Sequence, residues 1–254
     1  MGVITLLTDF GYRDPYVGIM KGVIYSVNPN AVIVDITHTI PMGDVKQASF
    51  VLSHSFKFFP PETVHTVVVD PGVGSARRIL GVETADYIFV APDNGVLTPI
   101  FDFAKVIVNI TNERFFLSEV SHTFHGRDIF APVAGALSRG VKLLDLGEVV
   151  DHPMLIPQPK LVEEAGRMEG EVIYIDGFGN VITNIPGSVL DGEVKFEING
   201  RLIERKVQCY DEGGDDAFAI QGSFGCVEFS VKGGSAKQTL QASVGMPVIV
   251  HKGG

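Results

Sequence analysis

The stretch Val67–Arg78, VVVDPGVGSARR, organises both the expected fold and the expected site. Its first three residues are β-branched and apolar, which is typical of the end of a buried strand, and Pro-Gly-Val-Gly then predicts a turn. Asp70 is therefore expected at the carboxyl edge of a sheet, where ligands collect in open α/β folds. Arg77 follows Asp70 by seven residues, so the two side chains can meet. The alternative is that Asp70 only caps its own turn while Arg77 is solvated.

Composition limits the classes of protein that this chain can represent. Its 254 residues are 45% hydrophobic, enough to bury one large core or two modest ones. The formal net charge of −10 argues against nucleic acid or an anionic membrane as partner. Cys209 and Cys226 lack the spacing of metal or redox sites, and the sequence shows neither a signal pattern nor a long apolar run. We expect a soluble cytoplasmic protein.

Residues 1–150 show strand and helix patterns in alternation, which predicts an α/β domain. Helix N-caps are expected at Asp14, Asp44 and Asp128, each just ahead of an apolar face with helical spacing. The order strand, helix, strand, helix, strand predicts right-handed crossovers and a mostly parallel sheet.

The remaining sequence has a different composition and hydrophobic pattern. Residues 151–167 contain several prolines and no periodicity, so we interpret them as a linker. Residues 168–254 contain short alternating runs separated by Gly-rich turns, and Asn199-Gly200 is a strong hairpin signal. This part predicts a smaller antiparallel domain, an all-β barrel.

Polar side chains at the expected strand and helix ends form a candidate site. These residues are Asp9, Asp14, His38, Asp70, Arg77, His125, Asp176, Asn180 and Asn184. No pair among them has the i, i+4 spacing of a helical zinc motif, so the sequence offers little support for a metal. A set of Asp, Arg and His without a side-chain nucleophile favours a positioned water, whose proton and charge are managed by its neighbours.

Five motifs extend over nearly the whole chain. They are Leu7–Gly11 (LTDFG), Asp35–His38 (DITH), Val69–Gly74 (VDPGVG), Thr123–Asp128 (TFHGRD) and Ile175–Asn184 (IDGFGNVITN). In this order they resemble the S-adenosyl-L-methionine (SAM) hydrolases that form adenosine. These enzymes are also called SAM hydroxide adenosyltransferases and are related to fluorinase and chlorinase. The resemblance implies a Rossmann-like α/β N-terminal domain, a C-terminal β-barrel and a homotrimer. The sites would lie between one subunit's N-terminal domain and its neighbour's C-terminal domain.

The resemblance also implies roles for residues of the first domain. Asp70, Arg77 and His125 match the residues that handle the attacking water. Asp9 matches the residue that binds the ribose hydroxyls, for which a carboxylate supplies two acceptor oxygens; the alternative is an Asp that caps its turn. Gly126 stands where fluorinase has a halide-binding serine, and Asp70 stands where the halogenating enzymes lack a carboxylate. Halide use is therefore not expected.

Residues of the second domain are implied to contact substrate. Asp176 matches a contact to the methionine ammonium group, whereas Phe178 and Asn180 match adenine contacts, to which a ring face and an amide are suited. The alternative is that this segment is a β-turn with a core phenylalanine. Ser223 matches a contact to the methionine carboxylate, but Phe224 replaces the arginine that follows in fluorinase, so how that carboxylate is held stays open.

The expected reaction is displacement at the ribose C5′ of SAM by water or hydroxide, giving adenosine and L-methionine without a cofactor. The leaving group is a neutral thioether, so it needs no general acid. The sequence does not decide which of Asp70, Arg77 and His125 takes the proton. Two alternatives are a non-catalytic SAM- or adenosine-binding protein and a metal-dependent hydrolase of another nucleoside.

Overall fold

The computed structural model describes residues 2–253, and the chain forms two compact units. The first unit ends at Ile156 and the second begins at Pro157. The helices and strands of the first unit are β1 (Val3–Thr8), α1 (Tyr16–Val27), β2 (Val32–Thr37), α2 (Val45–Ser55), β3 (Thr63–Val68), β4 (Ile79–Glu83), β5 (Tyr87–Pro92), β6 (Val106–Ile110), α3 (Ala131–Ser138) and β7 (Gly147–Val149).

The sheet of the first unit is mixed. Its strand order is β2-β1-β3-β5-β4-β6-β7. The pairs β2–β1, β1–β3 and β3–β5 are parallel, whereas β5–β4, β4–β6 and β6–β7 are antiparallel. The prediction of a mostly parallel sheet is therefore wrong. Only residues 84–86 separate β4 from β5, and such a short connection forms a hairpin, because a parallel crossover needs about a dozen residues or more.

Helices cover both faces of the parallel half of this sheet. Met20 of α1 and Val133 of α3 share a buried cluster with Leu6 of β1. On the opposite face, Leu52 of α2 packs in a second cluster with Leu7. Leu6 and Leu7 enter different clusters because successive side chains of a strand point to opposite faces. The central strands of this sheet are therefore covered on both faces.

The three expected helix caps have different outcomes. Asp44 accepts a backbone hydrogen bond at 2.9 Å at the start of α2, so its prediction is confirmed. Asp14 is not a cap, because Pro15 occupies the N-cap position of α1 in a helical conformation and makes no side-chain cap bond. Asp128 is not a cap either. It lies inside a π-helical turn, Gly126–Phe130, that precedes α3.

The second unit is an antiparallel structure with a short helix. Its elements are β8 (Val162–Glu164), β9 (Arg167–Ile175), β10 (Val181–Pro186), β11 (Val194–Ile198), β12 (Arg201–Ile203), β13 (Phe218–Gln221), β14 (Cys226–Ser230), α4 (Ala236–Leu240) and β15 (Pro247–Lys252). The strand order is β12-β11-β15-β9-β10-β14-β13, with β8 paired to β9.

Backbone contacts beyond β12 bring the ends of this second sheet together. The N–H of Ala219, in β13, donates to the carbonyl of Arg205 at 2.9 Å, and the N–H of Val207 donates back to Ala219 at 3.1 Å. The sheet is consequently a nearly closed, barrel-like structure, as the sequence predicted. Asn199 and Gly200 have φ values of 52° and 71°, and they form the predicted hairpin turn between β11 and β12.

The segment 151–167, predicted as a linker, contains a strand of the second unit. Its last part includes β8, which pairs with β9. Further back, the N–H of Ile156 donates to Thr98 of the first unit at 3.0 Å, and the carbonyl of Lys160 accepts from Asn184 of the second unit at 2.9 Å. The domain bounds 1–150 and 168–254 stay predictions.

Candidate active site

Two neighbouring parallel strands of the first unit end side by side. β1 and β3 pair with Thr8 opposite Val68. Asp9 directly follows β1, and Asp70 follows β3 by two residues. Because the carboxyl ends of parallel strands meet at one edge of a sheet, both carboxylates lie on the same side of the unit, and both line the same cavity.

Arg77 connects two other candidate residues. Its Nε donates to both carboxylate oxygens of Asp70 at 2.9 Å, and its Nη2 binds Oδ2 of the same carboxylate. Nη2 also donates to Nδ1 of His125 at 2.8 Å. The exposed fractions are 9% for the Arg77 side chain, 6% for that of Asp70 and 9% for His125. The structure thus brings the three residues together in a buried group that a guanidinium fork holds in a specific geometry.

This contact determines the tautomer of the neutral His125 ring. A guanidinium has only donors, so Nδ1 must accept and the proton of the neutral ring lies on Nε2. Burial lowers the pKa of His125 below its ordinary 6.5, and Arg77 lowers it as well. Asp70 and Asp128 oppose this shift, and His122 adds to it. A neutral ring with an Nε2–H group can donate to a water.

A cavity of about 590 Å³ adjoins this group. It is lined by Asp9, Phe10, Tyr16, Met42, Gly43, Val68, Asp70, Pro71, Val73, Thr123, Phe124, His125 and Gly126. The rings of Phe10, Tyr16 and Phe124 form one wall, with centroids 5.1 to 5.8 Å apart. A concave, mainly apolar site with a few converging polar groups is typical of small-molecule binding.

Asp9 lies in a loop held by buried hydrogen bonds. Its Oδ2 accepts from the N–H of Gly43 at 2.8 Å, so the carboxylate contacts a loop that is distant in sequence. His38 is fully buried, with Nδ1 2.8 Å from the hydroxyl of Thr8. The carbonyl of His38 also accepts from the N–H of Gly11 at 2.7 Å. His38 therefore supports the loop that carries Asp9.

Most candidate residues of the second unit lie in two turns, which contain Asp176, Phe178, Asn180 and Ser223. Asp176 accepts from the N–H groups of Phe178 and Asn180, both at 2.9 Å, and from the Asn180 side chain at 2.9 Å. These bonds stabilise a turn, as the structural alternative proposed. However, Phe178 is 83% exposed, so a core phenylalanine at this turn is wrong. Ser223 is exposed in the connection between β13 and β14.

The candidates Asn184 and Asp14 do not line the cavity, whereas its aromatic wall consists of residues to which the sequence assigned no role. Asn184 accepts from the backbone of β9 at 2.7 Å, which ties neighbouring segments of the second unit together. Asp14 is exposed ahead of α1. Phe10, Tyr16 and Phe124 received no role from the sequence. A signal for Tyr16 existed, because the first residue of a helix that follows β1 lies near the carboxyl end of that strand.

Within residues 2–253, no three His, Cys, Asp or Glu side chains are grouped in a way that could hold a metal ion. Over the same residues, no helix combines the length and apolar character needed to cross a membrane.

Comparison with known proteins identifies the family. Residues 4–147 match the SAM hydroxide adenosyltransferase N-terminal domain, and residues 170–249 match the C-terminal domain of the same family. An (R)-S-adenosyl-L-methionine hydrolase of Salinispora tropica is 39% identical over 74% of each chain. Another, from Salinispora arenicola, is 33% identical over 98% of each chain.

A solved structure covers almost the same length. The crystal structure of an uncharacterized conserved protein from Thermotoga maritima has a TM-score of 0.92 and 36% sequence identity, covering 98% of this chain and 100% of that one. The two domain matches together span most of the sequence, and they confirm the resemblance that the five motifs indicated. The chain belongs to the SAM hydroxide adenosyltransferase family.

Proposed function

We propose that this chain hydrolyses SAM to adenosine and L-methionine, with water or hydroxide attacking C5′ of the ribose. Its relatives named (R)-S-adenosyl-L-methionine hydrolase support the substrate and the reaction class. The observation that carries the proposal is the contact of Arg77 with both Asp70 and His125 beside a cavity with an aromatic wall. Both carboxylate oxygens of Asp70 are bound by Arg77, so the nucleophile we propose is a water that the three side chains position.

Each of the three residues interacts with that water in a different way. Arg77 is permanently charged and stabilises negative charge that develops on the oxygen. His125 is neutral with its proton on Nε2, so it orients the water as a donor. Asp70 is the acceptor of the group, since a carboxylate bound by Arg77 keeps lone pairs for a water proton. The thioether leaves without protonation, and exclusion of bulk water strengthens the attraction between hydroxide and sulfonium.

We propose the substrate contacts that the motif resemblance implied, and membership of the family supports them. Asp9, oriented by Gly43, accepts hydrogen bonds from the ribose hydroxyls. From the second unit, Phe178 offers an exposed ring face and Asn180 an amide for adenine. Asp176 binds the methionine ammonium group, and Ser223 binds the carboxylate.

The assembly we propose is a homotrimer in which one subunit's first unit and a neighbour's second unit share each site. Its support is the family match and the separation of candidate residues between two units. Light scattering measures the mass, and a catalytically active monomer at assay concentration would rule out the shared site.

For the first unit we propose a Rossmann-like description of its parallel half, supported by the strand order β2-β1-β3-β5 and by helices on both faces. A cytoplasmic location stays a prediction.

The test of the function is turnover in oxygen-18 water with excess chloride, followed by mass spectrometry. Attack at C5′ places the label on the 5′ hydroxyl of adenosine and leaves methionine unlabelled. Chloride is not expected to compete, because Gly126 has no hydroxyl donor and Asp70 repels an anion. Asp70→Asn is the matched variant, since it keeps the shape of the side chain and removes its charge.

Other results would contradict specific parts of the proposal. Labelled homoserine with methylthioadenosine would show attack on the methionine side chain. Abundant chlorodeoxyadenosine would show halide use. Binding of SAM without product over hours would favour the non-catalytic alternative. Loss of activity in chelator would favour a metal-dependent hydrolase.

A further inference from the structure

We infer that Asp128 is a positioning residue for His125, a role that rests on the proposed function. In this inference the buried carboxylate of Asp128 acts through Ser121 to hold the loop that ends at His125. The loop in turn sets the hydrogen bond between His125 and Arg77.

The carboxylate of Asp128 is fully buried and has several donors. Its Oδ2 accepts from the backbone N–H of Ser121 at 2.9 Å and from the Ser121 hydroxyl at 2.8 Å. Nε of Arg127 donates to Oδ1 at 2.5 Å. Burial alone would raise the pKa of Asp128, but the bonds from Arg127 and Ser121 lower it below its ordinary value. A buried charge satisfied in this way is a strong local constraint, because each donor would lose a charged partner if it moved.

The constraint reaches His125 through one short connection. The hydroxyl of Ser121 donates to Asp128 and accepts from the backbone N–H of Phe124 at 3.0 Å. Phe124 is the residue directly before His125, and its ring forms part of the cavity wall. The backbone of Asp128 also contacts this loop, because its carbonyl accepts from the N–H of Leu117 at 2.9 Å. The carbonyl of Asp128 therefore binds the start of the segment 117–124, and its carboxylate binds Ser121, which contacts the end of that segment just before His125.

The local helix geometry places Asp128 where it can make these contacts. Gly126–Phe130 is a π-helical turn, in which the N–H of Ala131 bonds to the carbonyl of Gly126. Such turns are rare and frequently occur at functional sites. As an ordinary N-cap, the Asp128 side chain would bind the first N–H groups of the helix. Here it points instead to the preceding loop.

Asp128 also affects the charge balance at His125. The charged groups that influence this imidazole are Arg77 and His122, which lower its pKa, and Asp70 and Asp128, which raise it. Removing the negative charge of Asp128 should lower the pKa of His125 further. This change in the pKa of His125 can be separated from the positioning effect, because a variant at Ser121 loosens the loop and keeps the negative charge of Asp128.

The test compares four variants of the full-length protein in SAM hydrolysis. Ser121→Ala removes the connecting hydroxyl, and Ser121→Thr restores one. Asp128→Asn removes the charge. Ser138→Ala is the matched control, because this hydroxyl also makes two hydrogen bonds, with Asn28 and with the carbonyl of Gly135 at 2.8 Å each, at the other end of α3. The measurements are kcat, KM, thermal unfolding, and the dependence of kcat on pH.

We expect Ser121→Ala to lower kcat by about tenfold or more, because small misplacements of a catalytic group are costly, while KM changes less than about threefold. Ser121→Thr should recover most of the loss, and Ser138→Ala should keep the wild-type kcat. Asp128→Asn should lower kcat and move the acid limb of the kcat profile to lower pH. Ser121→Ala should leave that limb in place.

The outcomes separate this inference from the function on which it rests. If the wild-type protein releases no adenosine, the proposed function fails, and the role of Asp128 fails with it. If the wild type is active and Ser121→Ala matches Ser138→Ala in kcat, only the positioning role is overturned. Should Asp128→Asn fail to fold, the comparison of Ser121→Ala with Ser121→Thr still decides, because loss without rescue would contradict the connection through the hydroxyl.

Discussion

Acid should destabilise the first unit through one buried histidine. His65 of β3 is fully buried, with Nδ1 2.8 Å from the hydroxyl of Thr5. The rings of Phe59, Tyr87 and Phe89 lie around it, with centroids 5.0 to 5.5 Å away. Among the described residues, its Nε2 has no hydrogen-bond partner. Burial lowers the pKa of His65 from 6.5 to about 3, so the ring stays neutral in the folded protein.

The magnitude follows from linkage. An unfolded chain takes up a proton at His65 near pH 6.5, whereas the folded chain does so only near pH 3. The contribution of the neutral His65 ring to the free energy of unfolding is therefore complete above pH 6.5, and it is lost progressively as the pH falls towards 3. At pH 4.5, two pH units below the unfolded pKa, the loss is about 2.7 kcal/mol at 1.36 kcal/mol per unit.

The assay is urea unfolding at pH 7.5 and pH 4.5, followed by circular dichroism because the chain has no tryptophan. The double variant Thr5→Val/His65→Phe removes the titration together with the hydroxyl that His65 satisfies. Its free energy of unfolding should fall about 2.7 kcal/mol less than that of the wild type between the two pH values. The control His152→Phe, at an exposed side chain, should lose as much as the wild type. Equal losses in the double variant and the wild type would refute the reasoning.

Three further predictions concern the cavity. Asp70→Asn and His125→Ala should each lower turnover, because both residues act on the attacking water. Calorimetry should still detect adenosine binding to both variants. Abolished binding with unchanged turnover per bound complex would contradict this assignment. Asp9→Ala should weaken adenosine more than adenine by about 1.5 to 3 kcal/mol, the value of a charged hydrogen-bond partner, and equal weakening would exclude the ribose role. Gly126→Ala would place a methyl group 3.1 Å from Cε2 of Phe124 and 3.3 Å from Sδ of Met20, and Met20 has little room to yield because it is fully buried. It should lower the unfolding free energy by about 1 to 3 kcal/mol and reduce turnover, so wild-type melting and kcat would contradict tight packing there.

The sequence predicted the strand ends of the site because their signals are local. β-branched residues followed by Pro-Gly place Asp70 after β3, and strand alternation with helices places Asp9 at the same edge. The sequence analysis missed the mixed half of the sheet even though its signal was present. The connection 84–86 is too short for a crossover, and counting it would have predicted a hairpin.

Other features could not be predicted because they depend on partners that are distant in sequence. The assignment of the His125 proton to Nε2 requires Arg77, which approaches from 48 residues away. Asp128 has the residue type and the sequence position of a helix cap. Only the folded loop shows that its carboxylate accepts hydrogen bonds from Ser121 instead. A local pattern describes what a side chain can do, while the choice among its possible partners is made by packing.

The turn at Asp176 shows why a structural role and a binding role are compatible in one motif. The backbone and side-chain bonds to Asp176 make the turn rigid without any contribution from the Phe178 ring. A ring that is 83% exposed gains little from burial in the isolated chain, whereas full burial of a Phe side chain is worth about 1.5 to 3 kcal/mol. Because these bonds already order the backbone that carries Phe178, burial of its ring by a ligand or a neighbouring subunit does not have to offset the cost of ordering that backbone. Asp176 can therefore stabilise the turn and still support the proposed contact of Phe178 with adenine.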